Sequence, residues 1–187
     1  MDAMKVIGVF GLIGSGKDTV AEYLEQKYGF FHVSYGILVR GLARQLGRTL
    51  ERDDLIKTQR EYVRRYGQNY FGRLAVQKIR DSNEQFCVLS GIRRPEDVEE
   101  PRKAFGEDFL LVFVDASPKI RFGRMRSRMR EGDPETLEEF LRQEEEEKKA
   151  FGFDKVMKYV RFTIKNEGTL EDLNRNVDAF LARNKIA

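Results

Sequence analysis

The sequence predicts an α/β domain: a five-stranded parallel sheet covered by helices on both faces. Three observations predict it. Short, almost continuously apolar runs such as KVIGVF and FLLVFVD recur along the chain, as strands buried on both faces require. Longer amphipathic segments separate them, and strands alternating with helices imply parallel crossover units. The length, 187 residues, suits one domain with a sizeable core.

The predicted strands are 5–10, 30–33, 85–90, 109–115 and 161–165. The first helix is predicted over 18–28, where Val20, Tyr23, Leu24 and Tyr28 recur at helical spacing. Between 35 and 82 only helical patterns occur, at 36–46, 52–66 and 70–80, so this stretch reads as an all-helical insert. A helix opens after Pro95. Another is predicted over 117–130, with Ser117 as N-cap and Pro118 at the first helical position. Gly132-Asp133-Pro134 ends it and starts the next helix. That helix finishes in EEEEKK, where Glu144–Lys148 and Glu145–Lys149 are favourable four-residue pairs. The last helix runs from about 169 to 184. No internal repeat or flexible linker interrupts the pattern.

Charged residues make up 35% of the chain, yet the formal net charge is only +3. Arginine outnumbers lysine, 21 to 13, and arginine is favoured where phosphate oxygens are gripped by a planar fork of donors. The lone Cys87 excludes an internal disulfide, and the lone His32 excludes a histidine-rich metal site. No apolar run is long enough to span a membrane. The N-terminus lacks the basic start and cleavage site of a secretion signal, so a cytoplasmic protein is expected.

One motif carries chemistry. Gly11-Leu-Ile-Gly-Ser-Gly-Lys17 fits G-x-x-x-x-G-K between an apolar strand and an amphipathic helix. Its glycines let backbone N–H groups surround phosphate oxygens, the helix N-terminus adds its positive end, and Lys17 neutralises terminal phosphates. Gly11, Ile13, Gly14, Ser15, Gly16, Lys17, Asp18 and Thr19 are therefore the predicted ATP-binding loop. Asp18 stands where a hydroxyl residue usually holds magnesium. It is either a helix N-terminal acid or, with Thr19, a hard oxygen ligand for Mg2+.

GLIGSGKDTVA resembles the phosphate loop of nucleoside monophosphate kinases and dephospho-coenzyme A kinases. The coenzyme A branch typically reads G-x-I-G-S-G-K-S-T-V-A, from which this loop departs at Asp18. The resemblance extends over essentially the whole chain and implies a three-layer P-loop NTPase fold of the nucleotide-kinase type, strand order 2-3-1-4-5. It implies a single kinase domain with its core in 1–34 and 83–187, a helical acceptor-binding insert at 35–82 and a short lid at about 124–140.

The remaining site expectations also come from that resemblance. HVSYGILVRGLA is similar to a segment usually reading S-x-G-D-x-x-R, which makes Ser34, Gly36 and Arg40 acceptor-binding candidates; Ile37 replaces the usual Asp. SGIRRPEDVEE resembles the D-G-F-P-R stretch of adenylate kinases, with Ser90 at the Asp position. Arg93 and Arg94 compete for the phosphate-gripping role, and Arg93 is also an acceptor-side candidate. Either arginine could instead pair with Glu96, Asp97 or Glu100. Arg124 and Arg128 match the lid pattern R-x-x-x-R. At helical spacing Arg121, Arg124 and Arg128 share one face and Phe122, Met125 and Met129 the next. Asn166 and Gly168 match I-x-N-x-G, a loop that often contacts adenine, although Thr169 there could be an ordinary N-cap.

The function these expectations describe is transfer of the γ-phosphoryl group of ATP, with Mg2+, to a small-molecule acceptor. Lys17, Arg93, Arg94, Arg124 and Arg128 are the catalytic candidates. The acceptor is left open between a nucleoside monophosphate, dephospho-coenzyme A and a non-nucleotide phosphate. A rival is an ATP-binding switch or assembly factor with slow hydrolysis. The acidic helix after the lid argues against a broad nucleic-acid surface, and a monomer or small homo-oligomer is expected.

Overall fold

The computed structural model describes residues 4–129 and 132–186. Five parallel strands form one sheet: β1 (Lys5–Phe10), β2 (Phe31–Ser34), β3 (Phe86–Ser90), β4 (Phe109–Asp115) and β5 (Phe162–Lys165). Their order is β2-β3-β1-β4-β5, the order the resemblance implied. Alternation along β1 divides the core. Val6 and Phe10 face one side with Cys87, Leu89 and Leu111, and Ile7 and Val9 face the other with Val88, Val112 and Val114. Both faces are apolar because both are covered.

On the second face lie α1 (Lys17–Tyr28), through Val20, Ala21 and Leu24, and the C-terminal helix, through Leu173, Val177 and Leu181. The first face is covered by helices that follow β2. These are α2 (Tyr35–Gln45), α3 (Arg52–Tyr66) and α4 (Tyr70–Ser82), and after β3 comes α5 (Glu96–Phe105). Ala75 and Ile79 of α4 and Val98 of α5 are fully buried in that core. Helices are thus present over the three stretches between 35 and 82 where helical patterns were predicted.

Past β4 come α6 (Pro118–Ser127), α7 (Leu137–Phe151), a five-residue helix α8 (Phe153–Met157) and, after β5, α9 (Leu170–Arg183). Sequence reading did not separate α8, which places Val156 in the core. Two expectations shift here. Helix α7 starts two to three residues later than Gly132-Asp133-Pro134 suggested, because Thr136 and Glu139 form a reciprocal capping box. Helix α6 ends at Ser127, with Arg128 as C-cap and Met129 at φ 45. Met129 therefore leaves the packing face and is 89% exposed. Arg130 and Glu131, which the expected helix and lid include, lie outside the described residues. Among the described residues no helix is long and apolar enough to cross a membrane.

Candidate functional site: a braced phosphate loop

The loop between β1 and α1 is built by left-handed glycines. Gly14 has φ 75 and Gly16 φ 91, conformations that side chains resist. A Cβ on Gly14 would lie 2.6 Å from the Arg121 carbonyl, and one on Gly16 would lie 2.3 Å from Asn166 Nδ2. Gly16 is the N-cap of α1, and no side chain caps that helix. Its first N–H groups are therefore open to an anion.

Three successive loop carbonyls are held from outside. The carbonyl of Ile13 accepts from Arg121 Nη1 at 3.4 Å, that of Gly14 from Arg124 Nη1 at 3.5 Å, and that of Ser15 from Asn166 Nδ2 at 2.8 Å. In a trans peptide the N–H points opposite the C=O. Fixing these carbonyls outward turns the Gly14 and Gly16 N–H groups to the opposite, concave side, while the Ser15 N–H closes a turn onto the Leu12 carbonyl at 3.1 Å. Ser15 Oγ is buried and has no hydrogen-bond partner among the described residues. A buried hydroxyl left so is costly unless a ligand supplies a partner, and this fits a polyphosphate seated in the loop.

Each brace is itself supported. Asn166 is buried, and its Oδ1 accepts from Arg124 Nη2 at 3.1 Å; Arg124 also reaches the Gly168 carbonyl at 3.4 Å. Burial, with Arg128 nearby, draws the Arg124 guanidinium below its usual range, while Glu167 opposes the shift. Arg121 is 3% exposed and donates to the Ala116 carbonyl at 2.8 Å and to both carboxylate oxygens of the equally buried Glu144, at 3.1 Å for Nη2–Oε1. Lys148 Nζ approaches the same carboxylate at 3.3 Å.

Here the structure amends the sequence reading. The predicted Glu144–Lys148 pair is present, and Glu144 is in addition the inward partner of Arg121. Lys148 takes Glu145 as well, at 2.8 Å, in place of the expected Glu145–Lys149 pair. The available signal was spacing: Glu144 follows the buried Phe140 by four residues, so it lies on the apolar stripe of α7. The N-cap role open to Thr169 at the other end of the site is present, as a capping box with Asp172 that starts α9.

The other predicted residues gather at the carboxyl end of the sheet. Lys17 Nζ stands 3.6 Å from Asp18 Oδ2, and the Asp18 side chain is 64% exposed. Ser34 ends β2 opposite Ser90 of β3. Gly91, at φ 78, approaches Tyr35 and the Gly36 amide, and the Arg40 guanidinium lies back over Gly36. Among the described residues Arg93 and Arg94 form no ion pair with Glu96, Asp97 or Glu100. Their guanidinium groups lie over the Phe151 ring, at 5.9 and 5.4 Å. Their backbone amides, instead, both donate to Asp97 Oδ2 at 2.9 Å. Burial pushes the Asp97 carboxyl up, and those two N–H bonds oppose it. Arg128 is exposed at the end of α6, where it is the C-cap, and its charge is felt at Arg124.

A metal here has few protein ligands to draw on. Among the described residues no group of three or more His, Cys, Asp or Glu is placed to hold an ion. Asp18 and Thr19 at the start of α1 are oxygen donors of the number magnesium uses when phosphates and water complete its shell.

Comparisons agree with this architecture. Residues 10–142 match the AAA domain family. A UPF0200 protein of Thermococcus onnurineus is 31% identical over 181 residues, covering 95% of this chain and 97% of that one. A UPF0200/UPF0201 protein of Archaeoglobus fulgidus is 32% identical over 182 residues; the match takes in 96% of this chain but only 56% of that longer protein. Among solved structures, a shikimate kinase from Bacteroides thetaiotaomicron superposes with a TM-score of 0.60 at 16% identity, covering 98% of this chain and 100% of that one. A gluconokinase from Sinorhizobium meliloti gives 0.56 at 19%, covering 96% and 92%. At such identities the structural likeness establishes the fold.

Proposed function

The chain belongs to the AAA domain family and stands with the UPF0200 proteins, and on that premise we propose that it is an ATP-dependent kinase acting on a small-molecule acceptor. The observation that carries the proposal is the outward anchoring of three consecutive loop carbonyls at Ile13, Gly14 and Ser15. Such anchoring fixes a cradle of N–H groups before any ligand arrives, and a preorganised set of donors is what charge stabilisation in phosphoryl transfer needs. The kinases among its structural neighbours are consistent with this reading.

In this reading Gly11, Ile13, Gly14, Ser15 and Gly16 line the nucleotide phosphates, and Lys17 neutralises the β and γ groups. Arg124, already lodged between Gly14 and Asn166, approaches the donor side. Asn166 and Gly168 bound the loop nearest the base. Arg128, Arg93 and Arg94 are the cations able to swing onto the transferring group; two of them must first leave Phe151. Ser34, Gly36, Arg40 and Arg93 border the acceptor space between α2 and the end of β3, and residues about 124–140 act as a short lid over the donor. Magnesium, when bound by Asp18 and Thr19, supplies charge neutralisation across the β and γ phosphates.

The test is ADP release from ATP–Mg2+ with a panel of nucleoside monophosphates and dephospho-coenzyme A, run beside Lys17→Met. Acceptor-stimulated release that Lys17→Met abolishes is the expected result. Slow hydrolysis indifferent to every acceptor would instead identify an ATP-binding switch.

A further inference from the structure

The lone histidine belongs to a hydrogen-bonded chain that ends at the tip of β3. Glu25 on α1 contacts His32 Nδ1 at 2.9 Å, and His32 Nε2 contacts Ser90 Oγ at 2.8 Å. The fold sets this arrangement. His32 is in register with Val88 on β3, so it faces the side of the sheet that α1 covers, as does Ser90 two residues on. From Glu25 the chain climbs toward the carboxyl ends of the strands, where ligands bind in open α/β sheets. Exposure falls along it: the Glu25 side chain is 51% exposed, that of His32 14%, and Ser90 as a residue 4%.

Chemistry fixes the direction of the bonds. A carboxylate only accepts, so Nδ1 carries the proton. In the neutral ring Nε2 is then the acceptor and the Ser90 hydroxyl donates to it. A hydroxyl held by a base that is oriented by an acid is the arrangement that moves protons in nucleophilic catalysis. Ser90 ends the strand beside β1, which runs directly into the phosphate loop. Ser90 stands where the resembled D-G-F-P-R stretch has its Asp, and this triad is the base that the position offers instead.

We propose that Glu25, His32 and Ser90 form a proton relay and that the acceptor of this kinase is consequently an alcohol rather than a phosphate. This deepens the kinase reading and rests on it. As the acceptor oxygen bonds to the γ-phosphorus and the bond from that phosphorus to the β–γ bridging oxygen breaks, the acceptor proton passes to Ser90 Oγ. The proton of Ser90 passes to His32 Nε2, leaving an imidazolium facing the Glu25 carboxylate. The products are a phosphate monoester and the nucleoside diphosphate. A phosphate acceptor is already deprotonated and has no use for the relay. Ser90 is the catalytic residue, since it touches the acceptor; His32 and Glu25 act through it.

Two measurements test this. A single histidine gives an unambiguous long-range proton–nitrogen spectrum of uniformly 15N-labelled protein. The neutral ring is expected as the Nδ1–H tautomer, with the Nε2 shift moved by Ser90→Ala; an Nε2–H tautomer overturns the relay whatever the acceptor. Turnover is then compared for alcohols (dephospho-coenzyme A, shikimate, gluconate) and for nucleoside monophosphates. With an alcohol acceptor, His32→Gln is expected to lower kcat roughly 100-fold or more, leaving the calorimetric affinity for ATP within about twofold. Glu25→Gln serves as the second variant should His32→Gln not fold. Wild-type transfer to monophosphates alone, or unchanged kcat in a folded variant, overturns the relay and leaves the kinase reading standing. No acceptor-stimulated release with any compound overturns both.

Discussion

Replacing Glu144 with alanine tests whether a buried ion pair 23 residues apart in sequence holds the phosphate loop. Arg121 and Glu144 are 3% and 5% exposed, so the truncated protein would retain a guanidinium with only the Ala116 and Ile13 carbonyls as partners. Breaking a buried pair from one side costs about 3–5 kcal/mol, because an uncompensated charge remains. For a domain of this size each kcal/mol lowers the melting temperature by about 2–4 °C. Calorimetry should thus record a fall of about 6–20 °C for Glu144→Ala. The pair Arg121→Met with Glu144→Leu removes both charges and should recover much of that loss, since well-packed apolar replacements of buried ion pairs are often neutral. It should not recover ATP affinity, because the bond from Arg121 to the Ile13 carbonyl is gone as well. A Glu144→Ala protein melting within about 2 °C of wild type, or a double variant binding ATP as wild type does, refutes the bracing argument.

Other outcomes follow from the same contacts. Asn166→Ala removes the 2.8 Å bond to the Ser15 carbonyl and the acceptor of Arg124; ATP affinity by calorimetry should fall about tenfold, the equivalent of one net hydrogen bond, and an unchanged Kd counts against the clamp. Asp97→Ala leaves the Arg93 and Arg94 amides without their acceptor, at about 1–3 kcal/mol each where buried, whereas Asp97→Asn keeps an oxygen there. Because burial raises the Asp97 carboxyl, its contribution to stability is present below the unfolded carboxyl pKa and lost as pH rises through the folded value. Asp97→Asn should therefore gain on wild type between pH 4 and 7 in urea titrations, and a loss over that range contradicts the sign. Asp18→Asn should raise the magnesium concentration needed for half-maximal turnover several-fold; an unaltered magnesium titration reduces Asp18 to a helix N-terminal charge worth about 0.3–1 kcal/mol.

What the sequence made legible, and what it did not, divides along a physical line. The strands were readable because burial on both faces leaves unbroken apolar runs: β1 and β4 have the predicted bounds, and the others differ by one residue. The loop was readable because glycine spacing is itself the backbone geometry. Pairing was not. EEEEKK has the composition of a solvated surface, and only the tertiary placement of α7 against α6 turns Glu144 inward. Likewise, Asn166 was visible as a motif position, but its bond to Ser15 joins residues 151 apart.

The same division explains why the proposed proton relay was not legible in the sequence. Local sequence around Ser90 shows a hydroxyl where a carboxylate was sought, and local sequence around His32 shows one histidine in a short edge strand. Neither segment holds a base and its orienter together. The register of β2 against β3, His32 with Val88 and Ser34 with Ser90, sets the histidine diagonally below the serine on the face that α1 covers. Glu25, seven residues before His32, comes within reach because the chain reverses at Gly29, in the left-handed conformation at φ 70. A proton path is then assembled from a turn, a register and a helix face, none of which any single residue type announces. With a hydroxyl in place of a carboxylate at the end of β3, the negative charge of the relay resides on Glu25, about 12 Å along α1 from Lys17 by the rise per residue.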